Sequence, residues 1–302
     1  MADLREGLGL DSAKAEKTIG AFIRQQVEQA GARGVVVGIS GGLDSAVVAF
    51  LCSRALGPDR VQGLFLPERD TAPETPGHAR AVAQAAGIRL DTVDLTPALT
   101  ALGCYQGAVA KALKSPVVGR VASTVIRGTG KNPFELTVKS AGSTVVREAV
   151  AFLRLKHRLR MCALYHRAER DGFLVAGCLN RTERLTGFFV RYGDTAADFA
   201  PILPLFKTQV RALAAYLGVP QAVIERPPTP DLIPGITDEG ALGISYEALD
   251  LVLVGLERGL DPESLAAETG VAATTIARIR ALVAAARSVS HDPPFPEMGL
   301  EE

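Results

Sequence analysis

The sequence is poor in the residues that build disulfide frameworks and large aromatic clusters. It contains no Trp, four Cys and only 5% aromatic residues. The cysteines, Cys52, Cys104, Cys162 and Cys178, are widely spaced, without a Cys-x-x-Cys pair and without a His at zinc-ligand spacing. Because disulfide scaffolds and structural zinc sites need clustered ligands, we expect free thiols and neither of those architectures.

A net charge and long apolar runs are also missing. Thirty-three Lys and Arg balance 33 Asp and Glu, so no global field favours nucleic acid or an anionic membrane. The longest apolar run near the start, 46–52, is far shorter than the roughly 20 residues that cross a bilayer. The first residues carry charges of both signs and precede no apolar stretch, which predicts a cytoplasmic protein.

The sequence does contain an alternation of short β-branched runs and helical repeats. Its 302 residues, 47% of them hydrophobic, can bury a sizeable core. Val35–Val37 is typical of a strand that is buried on both faces of a parallel sheet. Helices are predicted from 19 to 31, 46–56, 79–86 and 149–170, and strands over 61–66, 88–95 and 173–176. This alternation predicts an α/β fold, a doubly wound parallel sheet with helices on both faces.

Residues 103–147 interrupt the alternation. Two β-rich stretches, 121–126 and 134–138, flank a turn-rich segment, which predicts an inserted β-hairpin or lid. The stretch 103–170 carries 13 Lys and Arg against 3 Asp and Glu. It therefore faces an anion or forms a solvated basic surface, and the charge count leaves both open.

The C-terminal third is predicted to be mostly helical. A helix over 207–217 precedes an extended loop with five prolines between Pro220 and Pro234, and further helices run from 245 to 288. A Pro-rich tail, 289–302, is expected to wind over the surface or across to a neighbouring subunit. We expect the chain to form a single domain over 1–302.

The strongest local signal lies where the first predicted strand meets the next helix. It consists of Gly38, Ile39, Ser40, Gly41, Gly42, Leu43, Asp44 and Ser45. Adjacent glycines let a ligand approach the backbone, the serines offer hydroxyl donors, and the helix N-terminus offers N–H groups to phosphate oxygens. Neither the Walker A nor the dinucleotide pattern fits, and Asp44 stands where a Walker lysine would be. Because a bare carboxylate would repel phosphates, Asp44 is best explained as a ligand of Mg²⁺ carried by them.

This Ser-Gly-Gly-Leu-Asp-Ser sequence closely resembles the pyrophosphate loop of the N-type ATP pyrophosphatases, which cleave ATP to AMP and pyrophosphate. Further motifs are similar in order and spacing to ammonia-dependent NAD synthetases. They lie in 158–165, 180–198, 204–210, 228–232 and 237–246. The resemblance covers most of the chain outside the insertion and implies an adenine nucleotide alpha hydrolase-like fold.

The resemblance also implies a set of site residues. ATP would be bound by the glycine-rich loop, that is Gly38, Ser40, Gly41, Gly42, Leu43, Asp44 and Ser45, and by Cys178, Lys207 and Thr229. Asp44 and Glu183 would hold Mg²⁺, with Asp44 and Lys207 acting as the catalytic pair. The substrate deamido-NAD would be bound by Arg158, Arg191, Asp198 and His291.

The implied reaction has two steps. The nicotinate carboxylate of deamido-NAD attacks the α-phosphorus of ATP and releases pyrophosphate, and ammonia then displaces AMP from the acyl adenylate to give NAD. No glutaminase segment is recognisable, so free ammonia, or ammonia from a separate protein, is the expected nitrogen source. The resemblance further implies a homodimer, and the apolar face of the first helix is compatible with a dimer contact. Nucleic acid and membrane partners are not expected.

Three alternatives stay open. Cys178 stands where the family usually has threonine, Arg191 replaces a lysine, and Asp292 replaces another, so an AMP-forming amide ligase acting on a different carboxylate is the main rival. The segment 264–276 has the helix, glycine turn and helix of a DNA-binding motif, although a packed helical pair is simpler. The third alternative is a non-catalytic relative. The presence of Asp44, Glu183 and Lys207 argues against it.

Overall fold

The computed structural model describes residues 4–106, 144–228, 237–287 and 292–299. Its strands are β1 Gly34–Gly38, β2 Val61–Phe65, β3 Arg89–Thr92 and β4 Phe173–Ala176. The helices before β4 are α1 Ser12–Gln29, α2 Leu43–Leu56, α3 Thr75–Ala86, α4 Thr96–Ala101 and α5 Thr144–Asp171, with 3₁₀ turns at Glu6–Leu8 and Pro58–Arg60. After β4 come α6 Arg181–Thr186, α7 Lys207–Leu217, α8 Gln221–Ile224, α9 Asp238–Leu242, α10 Tyr246–Glu257, α11 Pro262–Thr269 and α12 Ala273–Arg287.

The four strands form one parallel sheet in the order β3-β2-β1-β4. At the centre, Val35 of β1 is paired with Val61 on one side and with Leu174 on the other. Side chains alternate between the two faces of the sheet, so Val35 and Val37 enter one core cluster and Val36 the other. A β-branched run buried on both faces is the reason that the strand could be read from the sequence.

Helices cover both faces of the sheet, which confirms the predicted α/β class. On one face α1, α2, α3 and α7 pack around β1 and β2, and on the other α4 and α5 contribute Leu99, Phe152 and Ala168 to the core. The apolar face of α1, including Ile19 and Ile23, is fully buried within the chain. This face therefore packs inside the chain. It does not form the dimer contact with which the sequence pattern was compatible.

The C-terminal helices form a separate core around Leu249 and Leu253 of α10. The segment with the look of a DNA-binding motif belongs to it, because Leu265 of α11 and Ile276 of α12 are fully buried there. Arg278, a cation on the second helix, donates to the carbonyl of Leu242 at 2.7 Å. Packing of α11 and α12 against the body of the protein thus explains this sequence pattern.

Two loop predictions were incomplete. No helix was predicted between β4 and Phe206, where α6 lies, and the Pro-rich segment, predicted as an extended loop, contains the single turn α8. Both helices are short, and a helix of one or two turns leaves too little periodicity in the sequence to be detected. The predicted hairpin, 121–126 and 134–138, lies outside the described residues.

The described part of the tail, 292–299, packs on its own chain. Pro294 accepts a hydrogen bond from the amide of Ala200 at 2.8 Å, and Asp292 accepts one from Arg184 at 2.7 Å. The charge of Asp292, which departs from the family pattern, is therefore compensated inside the protein. Within the described residues no helix is long and apolar enough to span a membrane, and all four cysteines are free thiols.

Candidate active site

The glycine-rich loop lies at the carboxyl end of β1, the central strand of the sheet. Ligands of open parallel sheets bind at this edge, outside the carboxyl ends of the strands. Gly41 has a φ of +76°, and a Cβ there would lie 3.1 Å from the carbonyl oxygen of Thr75. A residue with a side chain would be strained and crowded at this point, so glycine is required for the loop to fold against α3.

The two serines fix the shape of the loop. The hydroxyl of Ser45 accepts from the amide of Ser40 at 3.2 Å and donates to the carbonyl of Gly42 at 3.1 Å. The hydroxyl of Ser40 accepts from the amide of Gly42 at 3.2 Å. Gly42 is the N-cap of α2 and supplies no side chain to the first turn. The first N–H groups of α2 are thus available to an anion, which the helix dipole also favours.

Arg226 borders the loop from the segment that follows α8. Its guanidinium donates to the carbonyl of Gly41 at 3.3 Å and to the hydroxyl of Thr75 at 2.9 Å. It brings a cation to the place where phosphate charge is expected. Arg226 could not be predicted from the sequence, because it belongs to no recognisable motif.

Three charged side chains converge beside the loop, although they come from widely separated parts of the sequence. The ammonium of Lys207 contacts the carboxylate of Asp44 and lies 3.7 Å from Oε1 of Glu183. Lys207 is only 3% exposed. The fold therefore unites the predicted catalytic pair with the predicted second carboxylate.

Local hydrogen bonds hold these side chains in place. Asn180 caps α6 in a capping box, accepting from the amide of Glu183 at 3.0 Å while Glu183 accepts from the amide of Asn180 at 3.3 Å. The side-chain amide of Asn180 also donates to Asp44 at 3.0 Å. One short helix cap therefore orients both carboxylates.

The electrostatics of the cluster show an excess of negative charge. Burial and the neighbouring Asp44 raise the pKa of Glu183 well above its usual value, and Lys207 opposes this only in part. Burial lowers the pKa of Lys207, but the carboxylates of Asp44 and Glu183 outweigh it and leave that pKa above its usual value. Lys207 is therefore protonated, and its single positive charge is surrounded by more than one carboxyl group.

The cluster and the loop share one cavity of about 330 Å³. Of the residues expected to bind ATP, Gly38, Ser40, Gly42, Leu43, Asp44, Ser45, Cys178 and Lys207 line it. Burial raises the pKa of Cys178 well above its usual value. That thiol is therefore neutral, which suits a contact with a nucleotide but not the role of a nucleophile.

Comparisons with known proteins place the chain in one family. A family model described as NAD synthase matches residues 16–121 and 132–288. The NH(3)-dependent NAD(+) synthetase of Thermotoga neapolitana is 43% identical over 242 residues, which cover 80% of this chain and 83% of that protein. The enzyme of the same name from Methanocaldococcus jannaschii is 39% identical over 92% of this chain and 94% of its own length. The chain belongs to the NAD synthase family.

Solved structures have the same fold as this NAD synthase family member. The structure titled NMN synthetase from Francisella tularensis has a TM-score of 0.69 at 25% identity and covers 94% of this chain and 99% of its own. An NH3-dependent NAD synthetase from Campylobacter jejuni has a TM-score of 0.67 at 24% identity, over 96% and 100% of the two chains. These likenesses extend the family assignment to the three-dimensional structure.

Not all predicted substrate residues of the NAD synthase family member lie in the cavity. Arg158 and Arg191 are exposed and adjacent, with Nε of Arg158 donating to the carbonyl of Arg191 at 3.2 Å. Asp198 does not itself line the cavity, and its carboxylate accepts from the amide of Val175 at 2.7 Å and the hydroxyl of Tyr165 at 3.3 Å. Substrate contacts for these three stay predictions. The predicted ATP contact of Thr229 and the predicted substrate contact of His291 concern positions outside the described residues.

The structure adds polar residues that the sequence analysis did not select. His157, Arg160, Asp194, Arg226 and Asp238 all line the cavity. Arg160, Asp194 and Asp238 lie in segments that resemble the family, and that resemblance was the available signal. His157 precedes the first of these segments and had no signal of its own. Burial raises the pKa of Asp238 to about 6, with Lys207 opposing the shift in part.

Proposed function

We propose that this enzyme amidates deamido-NAD, using ATP to activate the nicotinate carboxylate and ammonia as the nitrogen donor. The observation that carries the proposal is the ammonium of Lys207, held between Asp44 and Glu183 beside an anion-binding loop. Membership of the NAD synthase family supports the same reaction. The products are NAD, AMP and pyrophosphate.

In the first step the glycine-rich loop receives the phosphates that leave as pyrophosphate. The N–H groups at the start of α2 and the hydroxyl of Ser40 are placed to donate to phosphate oxygens, while Ser45 holds the loop in shape. Negative charge grows on the leaving group as the bond to the α-phosphorus breaks. Lys207 is already in place and buried, so it stabilises that charge without reorganisation.

The residues of the cluster fit Mg²⁺. Among the described residues no three metal-ligating side chains converge, but Asp44 and Glu183 offer two hard oxygen donors that Lys207 does not neutralise. Mg²⁺ is commonly bound by one or two carboxylates together with substrate phosphates. Asp44 and Glu183 would hold the ion, which would neutralise phosphate charge when bound.

In the second step ammonia attacks the activated carbonyl. Much of the cavity wall is apolar, with Leu64, Met161, Leu164 and Phe188 among its residues. A dry wall lowers the chance that water hydrolyses the acyl adenylate before ammonia arrives. We propose that the exposed pair Arg158 and Arg191 binds anionic groups of deamido-NAD at the rim.

We further propose that the enzyme is a homodimer that works in the cytoplasm. The resemblance to NAD synthetases supports the dimer, and four free cysteines suit a reducing compartment. Light scattering coupled to size exclusion gives the mass of the assembly, to be compared with 31.8 kDa for one chain. A monomer at micromolar concentration contradicts the dimer.

The function is tested by product formation. With ATP, Mg²⁺ and ammonium, we expect AMP and pyrophosphate in equal amounts, with NAD formed from deamido-NAD. Nicotinic acid mononucleotide and nicotinic acid are the comparison substrates, because they carry the same carboxylate on smaller bodies. A higher kcat/KM for either comparison substrate favours the rival, a ligase acting on a different carboxylate.

A further inference from the structure

His157 and Asp194 form a half-buried pair in the wall of the cavity. Nδ1 of His157 lies 2.7 Å from Oδ1 of Asp194, and both residues line the same cavity as Lys207. None of the roles proposed above involves His157 or Asp194. The pair is supplied by helix α5 and by the loop after α6, which are far apart in the sequence.

The backbone is shaped to bring the two residues together. A Cβ on Gly193 would lie 2.8 Å from Cβ of His157, so only glycine allows the loop to approach α5 this closely. The second oxygen of Asp194 accepts from the amide of Val190 at 2.7 Å. Asp194 is thereby held on both oxygens and cannot turn away from the imidazole.

The hydrogen bonds decide which nitrogen of His157 carries the proton. Burial raises the pKa of Asp194, but the neighbouring His157 and the hydrogen bonds from His157 and Val190 outweigh it, so that pKa lies below its usual value. An ionised carboxylate can only accept, so Nδ1 must be the donor. In the neutral imidazole Nε2 is then a free base.

Nε2 has no hydrogen-bond partner, although it is buried. Leaving a buried polar atom unpaired is unfavourable, and a purely structural pair would avoid that cost. The geometry points to a catalytic role: we propose that Nε2 of His157 accepts the proton that the attacking ammonia loses, with Asp194 as its positioning residue. This inference rests on the proposed amidation and adds the proton acceptor for its second step.

In this second step one bond forms, one bond breaks and one proton is transferred. The nitrogen of ammonia forms its bond to the carbonyl carbon of the acyl adenylate, and the bond from that carbon to the AMP oxygen breaks with its electron pair. One N–H proton passes to Nε2, the resulting imidazolium is stabilised by the carboxylate of Asp194, and the proton later leaves to solvent. The carboxamide and AMP are the products, and no oxidant or reductant is needed.

The two half-reactions allow a specific test. His157→Asn keeps a donor close to the position of Nδ1 and removes the base. Adenylation is measured as exchange of labelled pyrophosphate into ATP in the presence of deamido-NAD, and amidation as NAD formed with ammonium chloride. We expect H157N to keep the exchange rate within about threefold of the unsubstituted enzyme and to lose about 100-fold in kcat with ammonium.

A second nucleophile separates a missing base from a damaged fold. Hydroxylamine is uncharged near neutral pH and is a stronger nucleophile than ammonia, so the deficit of H157N with hydroxylamine is expected to be about tenfold smaller than with ammonium. The matched control is His166→Asn, an exposed histidine on the same helix, which keeps both rates. His157→Gln, which also lacks a base, gives the same result where H157N does not fold.

Each other outcome overturns the proposal. Unchanged turnover of H157N with ammonium shows that His157 accepts no proton in the reaction. An equal loss in exchange and amidation, or an equal deficit with both nucleophiles, shows a structural pair. If the unsubstituted enzyme catalyses no exchange that depends on deamido-NAD, the proposed function itself fails, and this result is distinct from the others.

Discussion

Asp250 accepts a hydrogen bond of 2.6 Å from the hydroxyl of Thr182, and neither residue is exposed to solvent. The same hydroxyl accepts from the amide of Lys207 at 2.9 Å, and the second oxygen of Asp250 accepts from the amide of Thr208 at 2.9 Å. A carboxylate on α10 thus ties together the starts of α6 and α7. These two helix starts carry Glu183 and Lys207.

We expect Asp250→Asn to weaken both the fold and the site. An amide group can replace only one of the two acceptors, so a buried donor loses its partner, at a cost of roughly 1–3 kcal/mol in the free energy of unfolding. Displacement of Lys207 should lower kcat about tenfold or more. Urea unfolding and NAD formation measure the two effects. Asp59→Asn, at an exposed position, is the control, and full turnover in D250N contradicts the positioning role.

Gly41→Ala tests the shape of the phosphate loop. An alanine there combines a φ of +76° with a Cβ placed 3.1 Å from the carbonyl oxygen of Thr75. We expect a loss of about 1–3 kcal/mol in stability and an increase in the KM for ATP. Gly57→Ala is the matched control, because Gly57 has a φ of +86° but open space around it. An increase in the KM for ATP in both variants would assign the effect to backbone strain alone.

Glu183→Gln tests the proposed metal ligand. Removing one of two carboxylates should raise the Mg²⁺ concentration for half-maximal rate roughly tenfold or more. Rates are measured against free Mg²⁺ at saturating ATP. Glu257→Gln is the control, because Glu257 pairs with Arg181 of the same helix α6 but does not line the cavity. Identical Mg²⁺ curves for E183Q and the unsubstituted enzyme exclude Glu183 as a ligand.

The raised pKa of Asp238 predicts a specific pH dependence of stability. Burial raises this pKa from 3.8 to about 6 in the folded protein, with Lys207 and the hydrogen bond from Tyr246 opposing the shift. Protonation therefore favours the folded state, and this contribution is complete below pH 3.8 and is lost as the pH rises through 6. Asp238→Asn is neutral at every pH and lacks this dependence.

Comparing the unsubstituted protein with D238N isolates the contribution of the Asp238 carboxyl group. Relative to D238N, the unsubstituted protein should gain about 1 kcal/mol in free energy of unfolding between pH 7 and pH 5. Urea titrations at several pH values measure the difference. A constant difference over that range means that Asp238 has an ordinary pKa.

Much of the fold could be predicted from local pattern. The β-branched run at 35–37 and the helical repeats predicted the strands and the longer helices, because burial on two faces or on one stripe leaves a period in the sequence. The helices α6 and α8 escaped prediction because one or two turns leave no such period. The face of α1 was compatible with a dimer contact in the sequence because apolar periodicity shows that a face is buried but not what covers it.

Some residues of the candidate site could likewise be predicted from the sequence and others could not. The loop from Gly38 to Ser45 could be recognised because its chemistry lies in consecutive residues, and Glu183 and Lys207 because they lie in motifs that resemble a known family. Arg226 and the pair of His157 with Asp194 were missed. Each acts through a partner distant in the sequence, and spacing along the chain carries no information about such partners.

The sequence by itself determined the sheet and the phosphate loop, because periodicity and glycine conformations are properties of neighbouring residues. Only the tertiary structure decided that Lys207 lies between two carboxylates and that Nε2 of His157 is buried without a partner. Those facts depend on the distance between segments that the chain brings together only when its hydrophobic cores close. Charge balance and hydrogen bonding within the site follow from that closure.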